Sequence, residues 1–398
     1  MMMPDIIRKL NPVRLLWKFR QGTSLQRLAA RAGFELGVVV DQNNFKNRHY
    51  RWFTEKHFGA VTFANEMKFR SLIDEQATCN SADGLPVLNF KSIDPIAEWA
   101  KNNKLHIHGH ALIYHVNTPE WFFHENYDES APAASREVNL QRMECYIDRV
   151  IRHFEEKFPG VVNCWNVVNE ALGDNPDEYR SDDPLHLRIS RLGISNPFMN
   201  YIGPDYPMQA FLFARDSVEA LKADIRLCLN DFNIHFPDKI PYVLSLARSI
   251  NEFAYDENEK PRKLLDDICI EGYLGGYGSQ KGCLSDSELE KLKNAISEYS
   301  RNGFGVQITE LTVRNFEAES EAAHIDYYVR LFRMLYETSQ TNARLKNITI
   351  WGLTDSPIST EEYRYQWNPY GGLLNINLDH KPVFEQLRKE MKSWTGKK

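Results

Sequence analysis

Two carboxylates stand out by their position in the chain. Glu170 ends the run CWNVVNE and Glu310 ends the run VQITE. Each follows apolar and β-branched residues, so each falls at the C-terminal tip of a predicted strand. Two opposed carboxyl groups in one cleft are the equipment for cleaving a glycosidic bond. One must hold a proton for the leaving oxygen, and the other must be ionised to attack or to activate water. A lone glutamate reads as solvated surface, whereas a pair at strand tips does not. His106, His108 and His110 are a second candidate. They alternate and so share one face of a strand, and such a pattern can hold a metal in a barrel hydrolase. That chemistry needs further histidines at other strand ends, and beyond His115 the later strand ends supply none. The expectation is hydrogen-bonded barrel lining, with no metal and no other cofactor.

To bring Glu170 and Glu310 together, the chain must build a sheet around them. Short β-rich runs recur at 36–40, 60–63, 106–110, 163–168, 226–230, 268–273, 305–309 and 347–351. Helical patterns alternate with them at 48–56, 96–102, 137–157, 206–223, 239–249, 285–299, 322–340 and 382–394. Eight alternating units predict an α/β protein with a (β/α)₈ TIM barrel. An open doubly wound sheet is the alternative, but no GxGxxG opens a helix after any of these strands. Long connections follow the fourth and eighth strands, and barrels build their active face from such loops. Polar residues gather at the same strand ends: Asn65 and Lys68, His108 and His110, Asn169, Asn230, Asp231 and Asn233, Glu271, and Asp355. One shared cleft accounts for them.

A barrel can occupy the whole of a 398-residue chain, so length does not divide it. Residues 24–398 read as one catalytic domain and residues 1–23 as a short basic extension. The net charge of −6 carries no footprint for nucleic acid. None of the six cysteines forms a CxxC pair, and Cys164, Cys228 and Cys269 read as small buried hydrophobes. Free buried thiols suit a reducing compartment. The first twenty residues lack the continuous apolar stretch of a secretory signal. The expected location is cytoplasmic, with unconventional secretion as the alternative. Trp17 and Phe19 beside Arg14, Lys18 and Arg20 offer weak membrane-surface contact; an arm packed on the barrel or frayed is preferred.

The strand-end motifs resemble those of glycoside hydrolase family 10, the family of endo-β-1,4-xylanases. WNVVNEA at 165–171 is similar to its WDVVNEA motif, and ITEL at 308–311 to its nucleophile motif. NEMK at 65–68, GHALIYH at 109–115, NDFN at 230–233 and WGLTD at 351–355 resemble four more, in the family's order. The resemblance implies a retaining, endo-acting enzyme for a β-1,4-linked oligo- or polysaccharide, with carboxyl groups about 5–5.5 Å apart. It makes Glu310 the nucleophile and Glu170 the acid/base. Asn169 would bind the sugar 2-hydroxyl, Asn65, Lys68 and His110 further hydroxyls, and Trp351 would stack on a sugar.

The substrate-binding positions also carry departures. Ala64 stands where the family usually has Glu, Tyr114 where it has Trp, and Asn117 where it has Gln. Glu271 and Tyr273 take the places of a Gln and a His, and Asn166 and Thr312 the places of two Asp. A second Trp is missing near Ser359, with Tyr363 or Trp367 as substitutes. Tyr273 is expected to hydrogen-bond Glu310. Glu271 could raise the nucleophile's pKa, read a different hydroxyl or an amino group, or pair with Arg314. A barrel that binds glycans without cleaving them is the alternative that these changes raise.

Overall fold

The computed structural model describes residues 24–191, 193–276, 284–341, 344–355 and 368–395. Ser359, Tyr363, Trp367, Cys283 and the basic extension lie outside the described residues. Eight strands form the barrel: β1 (Glu35–Val40), β2 (Ala60–Phe63), β3 (His106–Gly109), β4 (Val162–Asn169), β5 (Arg226–Phe232), β6 (Asp267–Glu271), β7 (Gly305–Val313) and β8 (Leu345–Ile350). Every neighbouring pair is parallel, and β8 pairs with β1 to close the ring.

Around the barrel run α1 (Leu25–Ala32), α2 (Arg48–His57), α3 (Asp94–Asn102), α4 (Arg136–Lys157), α5 (Tyr206–Leu221), α6 (Ile240–Asn251), α7 (Asp286–Arg301), α8 (Glu321–Thr341) and α9 (Pro382–Thr395). Their apolar faces turn inward. In α4, Met143, Tyr146, Ile147, Val150, Ile151 and Phe154 recur at helical spacing and are all buried. Burying each such side chain contributes about 1.5–3 kcal/mol. Ser135 caps α4 by accepting the Val138 amide, and Ser24 caps α1 by accepting the Arg27 amide. α1 has no counterpart among the predicted elements. Its buried residues Leu25, Leu28, Ala29 and Ala32 follow a helical period, and it packs against α2, α8, α9 and β1.

Parallel strands buried on both faces need side chains for the barrel interior and for the helices outside. Trp165 of β4 points outward and meets Phe154 of α4, with ring centroids 5.7 Å apart. It lies so close to β3 that a Cβ on Gly109 would come within 2.2 Å of its ring. The interior is more polar than the sequence suggested. Cys164, Cys228 and Cys269 form one buried cluster rather than three separate apolar sites. Gln307 reaches it from β7 and also donates to Asp267 at 2.8 Å, while Asp267 pairs with Arg226. This polar layer underlies the cleft. Among the described residues no helix is long and apolar enough to cross a membrane.

Candidate active site

Alternation along a strand sends neighbouring side chains to opposite faces. Both key strands break that rule at their tips. On β4, Asn166 points into the barrel and bonds His108 and His110. Asn169 and Glu170 are consecutive, yet both face the cleft. Glu170 has φ +53°, a left-handed conformation that is uncommon for glutamate and that ends the strand by turning its side chain inward. On β7, Thr309 and Glu310 are likewise consecutive and both reach the cleft. The register between β7 and β8 shifts between Ile308 and Leu311, and this irregularity re-aims Glu310.

Glu310 is buried. The hydroxyl of Tyr273 donates to its Oε2, and His110 Nε2 lies 3.8 Å from its Oε1. Burial raises the Glu310 pKa, while the Tyr273 hydrogen bond and the charge of Lys68 oppose that rise. Asn230 on β5 ties the floor together. It donates to Asn169 at 2.7 Å and to Glu271 at 2.9 Å, and accepts from Thr309 at 2.5 Å. Glu271 is also buried, and its pKa stands well above the ordinary carboxylate value. Burial is the main cause, followed by the neighbouring charges of Glu310 and Asp231. Glu310 has the Tyr273 hydroxyl as a donor that Glu271 lacks, so Glu310 is the member that ionises first and Glu271 the member that holds its proton longer. The expected alternative partner of Glu271, Arg314, instead donates to the Gly276 carbonyl and lies over the Tyr273 ring.

On the opposite wall, the hydroxyl of Tyr114 donates to Glu170 Oε1 at 2.9 Å. Arg191 forms an ion pair with Glu170 Oε2. No motif marked Arg191. It lies on a two-stranded hairpin, Ser190–Arg191 with Ile194–Ser195, inside the long connection after β4. Its base is firmly built. Buried Arg188 donates to the Glu170 carbonyl and pairs with Asp174 and Glu178, while buried Asn196 donates to the Arg188 carbonyl. The Arg191 guanidinium also lies 4.1 Å from the centre of the Phe232 ring at the end of β5.

The remaining predicted residues sort into contributors and supports. Lys68 donates to Asn65 at 3.3 Å, and Glu66 accepts the amides of Asn65 and Gln42, which fixes this loop. Burial lowers the Lys68 pKa against the opposing pull of Glu310 and Glu271. His110 is held well below the ordinary histidine value by burial, with Lys68 and His108 adding to the effect, so it is neutral. Its ring meets Trp351 edge-on, with centroids 6.0 Å apart. Trp351 is buried rather than open. Asn117 accepts the Arg70 amide at 2.9 Å and so braces the loop after β2. Asp355 departs from the expectation of a shared cleft. It pairs with Lys381 and accepts the Gly372 amide, a clasp between the loop after β8 and α9. His106 is exposed and pairs with Glu35 at the barrel's other end.

A closed parallel barrel that presents buried carboxylates from its fourth and seventh strands belongs to the class of (β/α)₈ glycoside hydrolases. The profile of glycosyl hydrolase family 10 matches residues 24–390, and the chain belongs to that family. A putative endo-1,4-beta-xylanase of Caldicellulosiruptor saccharolyticus is 29% identical over 333 residues, covering 80% of this chain and 95% of the relative. Endo-1,4-beta-xylanase B of Butyrivibrio fibrisolvens is 26% identical over 81% of this chain, which spans 46% of that longer protein. Among solved structures, the Clostridium thermocellum xylanase 10B modules complexed with xylohexaose superpose with a TM-score of 0.78 at 22% identity, over 93% of this chain and 68% of that one. Xylanase 10B of Thermotoga maritima gives 0.71 at 21% identity, over 94% and 100%. At these identities the structures speak for the fold.

Proposed function

We propose that this protein hydrolyses β-1,4-linked glycans of the xylan type with retention of anomeric configuration. The observation that carries the reading is the unequal setting of two buried carboxylates across one cleft. Glu310 is supplied with hydrogen-bond donors and a neighbouring cation. Glu170 is turned inward by a left-handed backbone and reached from the opposite wall.

In the first step Glu310 attacks the anomeric carbon, and the bond from that carbon to the leaving oxygen breaks. Glu170 gives its proton to that oxygen and becomes a carboxylate. In the second step Glu170 takes a proton from water, the water oxygen bonds the anomeric carbon, and Glu310 leaves as a carboxylate. Asn169 accepts from Asn230 through its side-chain oxygen, which leaves its amide nitrogen as the group to meet a sugar hydroxyl in this reading. A protonated Glu271 adds a hydroxyl donor beside it.

The test is a β-glycan panel that follows product anomers, with Glu310→Gln and Glu170→Ala. Retained configuration is expected, with at least a thousandfold loss in Glu310→Gln, on the order of other removals of a nucleophile. Activity that survives Glu310→Gln on every cleaved glycan overturns the assignment. One observation favours a barrel that binds without cleaving: the Arg191 ion pair favours the ionised form of Glu170. Tight oligosaccharide binding with no turnover by the wild type would select that reading. A reducing compartment is part of our proposal. It is supported by free Cys79, Cys145, Cys164, Cys228 and Cys269, and cell fractionation tests it.

A further inference from the structure

A general acid must hold its proton before the bond breaks, and a guanidinium beside a carboxylate favours the proton's loss. The Arg191 guanidinium, paired with Glu170, therefore favours the ionised carboxylate until it is drawn away. The other carboxylates on this wall are already committed. Asp174 pairs with Arg188 and Lys239, Glu178 pairs with Arg188, and Asp231 accepts the amides of Leu172 and Phe232. Glu271 lies within electrostatic reach of Arg191 but is held by Asn230, and among the described residues Glu170 is the one carboxylate that Arg191 pairs with. If Glu170 takes up a proton, a half-buried guanidinium loses its counter-ion, which is costly.

The place of Arg191 says where a new counter-ion would come from. Asn65, Lys68, His110 and Trp351 lie at the ends of β2, β3 and β8, next to Glu310 on β7. Arg191, on the hairpin after β4, and Phe232, at the end of β5, lie together on the side of Glu170. A glycan whose non-reducing part rests on the first group lays its leaving part over Phe232 and Arg191.

We propose that Arg191 is a specificity-determining residue that selects glycans with a carboxylate on the leaving part, a uronic-acid branch being the fitting class. The substrate carboxylate takes the guanidinium and frees Glu170 to hold its proton. After the leaving part departs, Arg191 returns to Glu170 and favours the carboxylate that must accept a proton from water. Each step of the cycle thus finds Glu170 in the form it needs. Buried Arg188 and Asn196, which hold the hairpin base, keep Arg191 within reach of both partners.

This inference rests on the hydrolase reading above, and the experiment separates the two. The probes are a β-1,4-xylo-oligosaccharide with and without one uronic acid on the leaving unit, and a 2,4-dinitrophenyl β-xylobioside, whose phenol departs without a proton. The wild type is expected to cleave the acidic oligosaccharide at least tenfold faster in kcat/KM, since an adjacent arginine shifts a carboxylic acid by about one to three pKa units. Arg191→Met should erase that preference and move the basic limb of kcat/KM for the neutral oligosaccharide to higher pH. Arg191→Lys should restore part of the preference. The dinitrophenyl substrate should respond least to either variant. Cleavage without preference by the wild type, or a preference and basic limb that Arg191→Met leaves in place, overturns the role of Arg191 alone. Failure of the wild type to cleave any of the three removes the hydrolase reading and this inference with it.

Discussion

Replacing Tyr273 by phenylalanine removes one oxygen from the cleft and should move the acid limb of activity. The Tyr273 hydroxyl donates to Glu310 Oε2. Burial raises the Glu310 pKa, and this hydrogen bond is the first of the interactions that pull it down. A hydrogen bond to a charged group contributes about 1.5–3 kcal/mol. Without it, the ionised fraction of Glu310 at a pH below the limb falls by roughly 10- to 100-fold. The sign follows from the chemistry. In the proposed mechanism Glu310 works only as a carboxylate, so activity is lost as pH falls, and a raised pKa brings that loss on at higher pH. The ring itself should stay, because Arg314 lies over it at 5.7 Å. The assay is kcat/KM against pH on a dinitrophenyl β-glycoside, whose leaving group needs no acid and so isolates Glu310. On the plateau a more basic Glu310 is a poorer leaving group, so the glycosyl-enzyme should accumulate in a burst experiment. An acid limb that stays in place, in a variant with wild-type Tm, refutes the claim that Tyr273 sustains the nucleophile.

Other perturbations test the setting around that pair. Glu271 has its pKa raised in the fold, mainly by burial. Such an acid costs nothing below its ordinary value of about 4.3 and costs stability progressively as pH rises above it. Glu271→Gln keeps an acceptor for Asn230 and removes that cost. Its Tm should exceed the wild type's at pH 8, with the gap closing near pH 4; a gap that does not depend on pH would show that Glu271 does not titrate differently in the fold. Gly109→Ala places a Cβ against the Trp165 ring. Overpacking of this kind costs about 1–3 kcal/mol, to be read from denaturant unfolding. The double variant with Trp165→Phe should recover part of that cost, and strict additivity of the two would contradict the contact.

The barrel was legible because its signal is repeated. Eight apolar runs alternate with eight amphipathic segments, and the strand bounds fall within a few residues of the sequence reading. β7 runs four residues past its predicted end because Leu311 pairs again with Ile350 after the irregularity and Thr312 and Val313 pair with Tyr273 and Leu274. The pair Ile113–Tyr114 is too short to carry a period and takes its form from β4, whereas α1 carries a helical period at Leu25, Leu28, Ala29 and Ala32 that the predicted elements leave out. Asp355 shows the limit of reading a polar residue at a strand end as part of the cleft, since Lys381 on a distant segment claims it.

The site divides along the same line. Tyr273 could be placed against Glu310 because the ends of adjacent parallel strands lie side by side, and sequence position alone then fixes proximity. Arg191 could not. It lies twenty-one residues after Glu170 in a connection with no hydrophobic period, and what brings it back is a chain of buried polar contacts through Arg188 and Asn196. Those contacts depend on geometry that no spacing records. The consequence is a division of labour that sequence motifs cannot display. Strand tips carry the two carboxylates proposed to do the chemistry, Glu170 after β4 and Glu310 on β7, whereas one of the groups that bond them, Arg191, comes from a loop. The loops specify which substrate completes the charge balance. The strand-end motifs therefore point to the chemistry of this chain, while Arg191, the residue through which the choice of glycan is proposed to act, stands outside all of them.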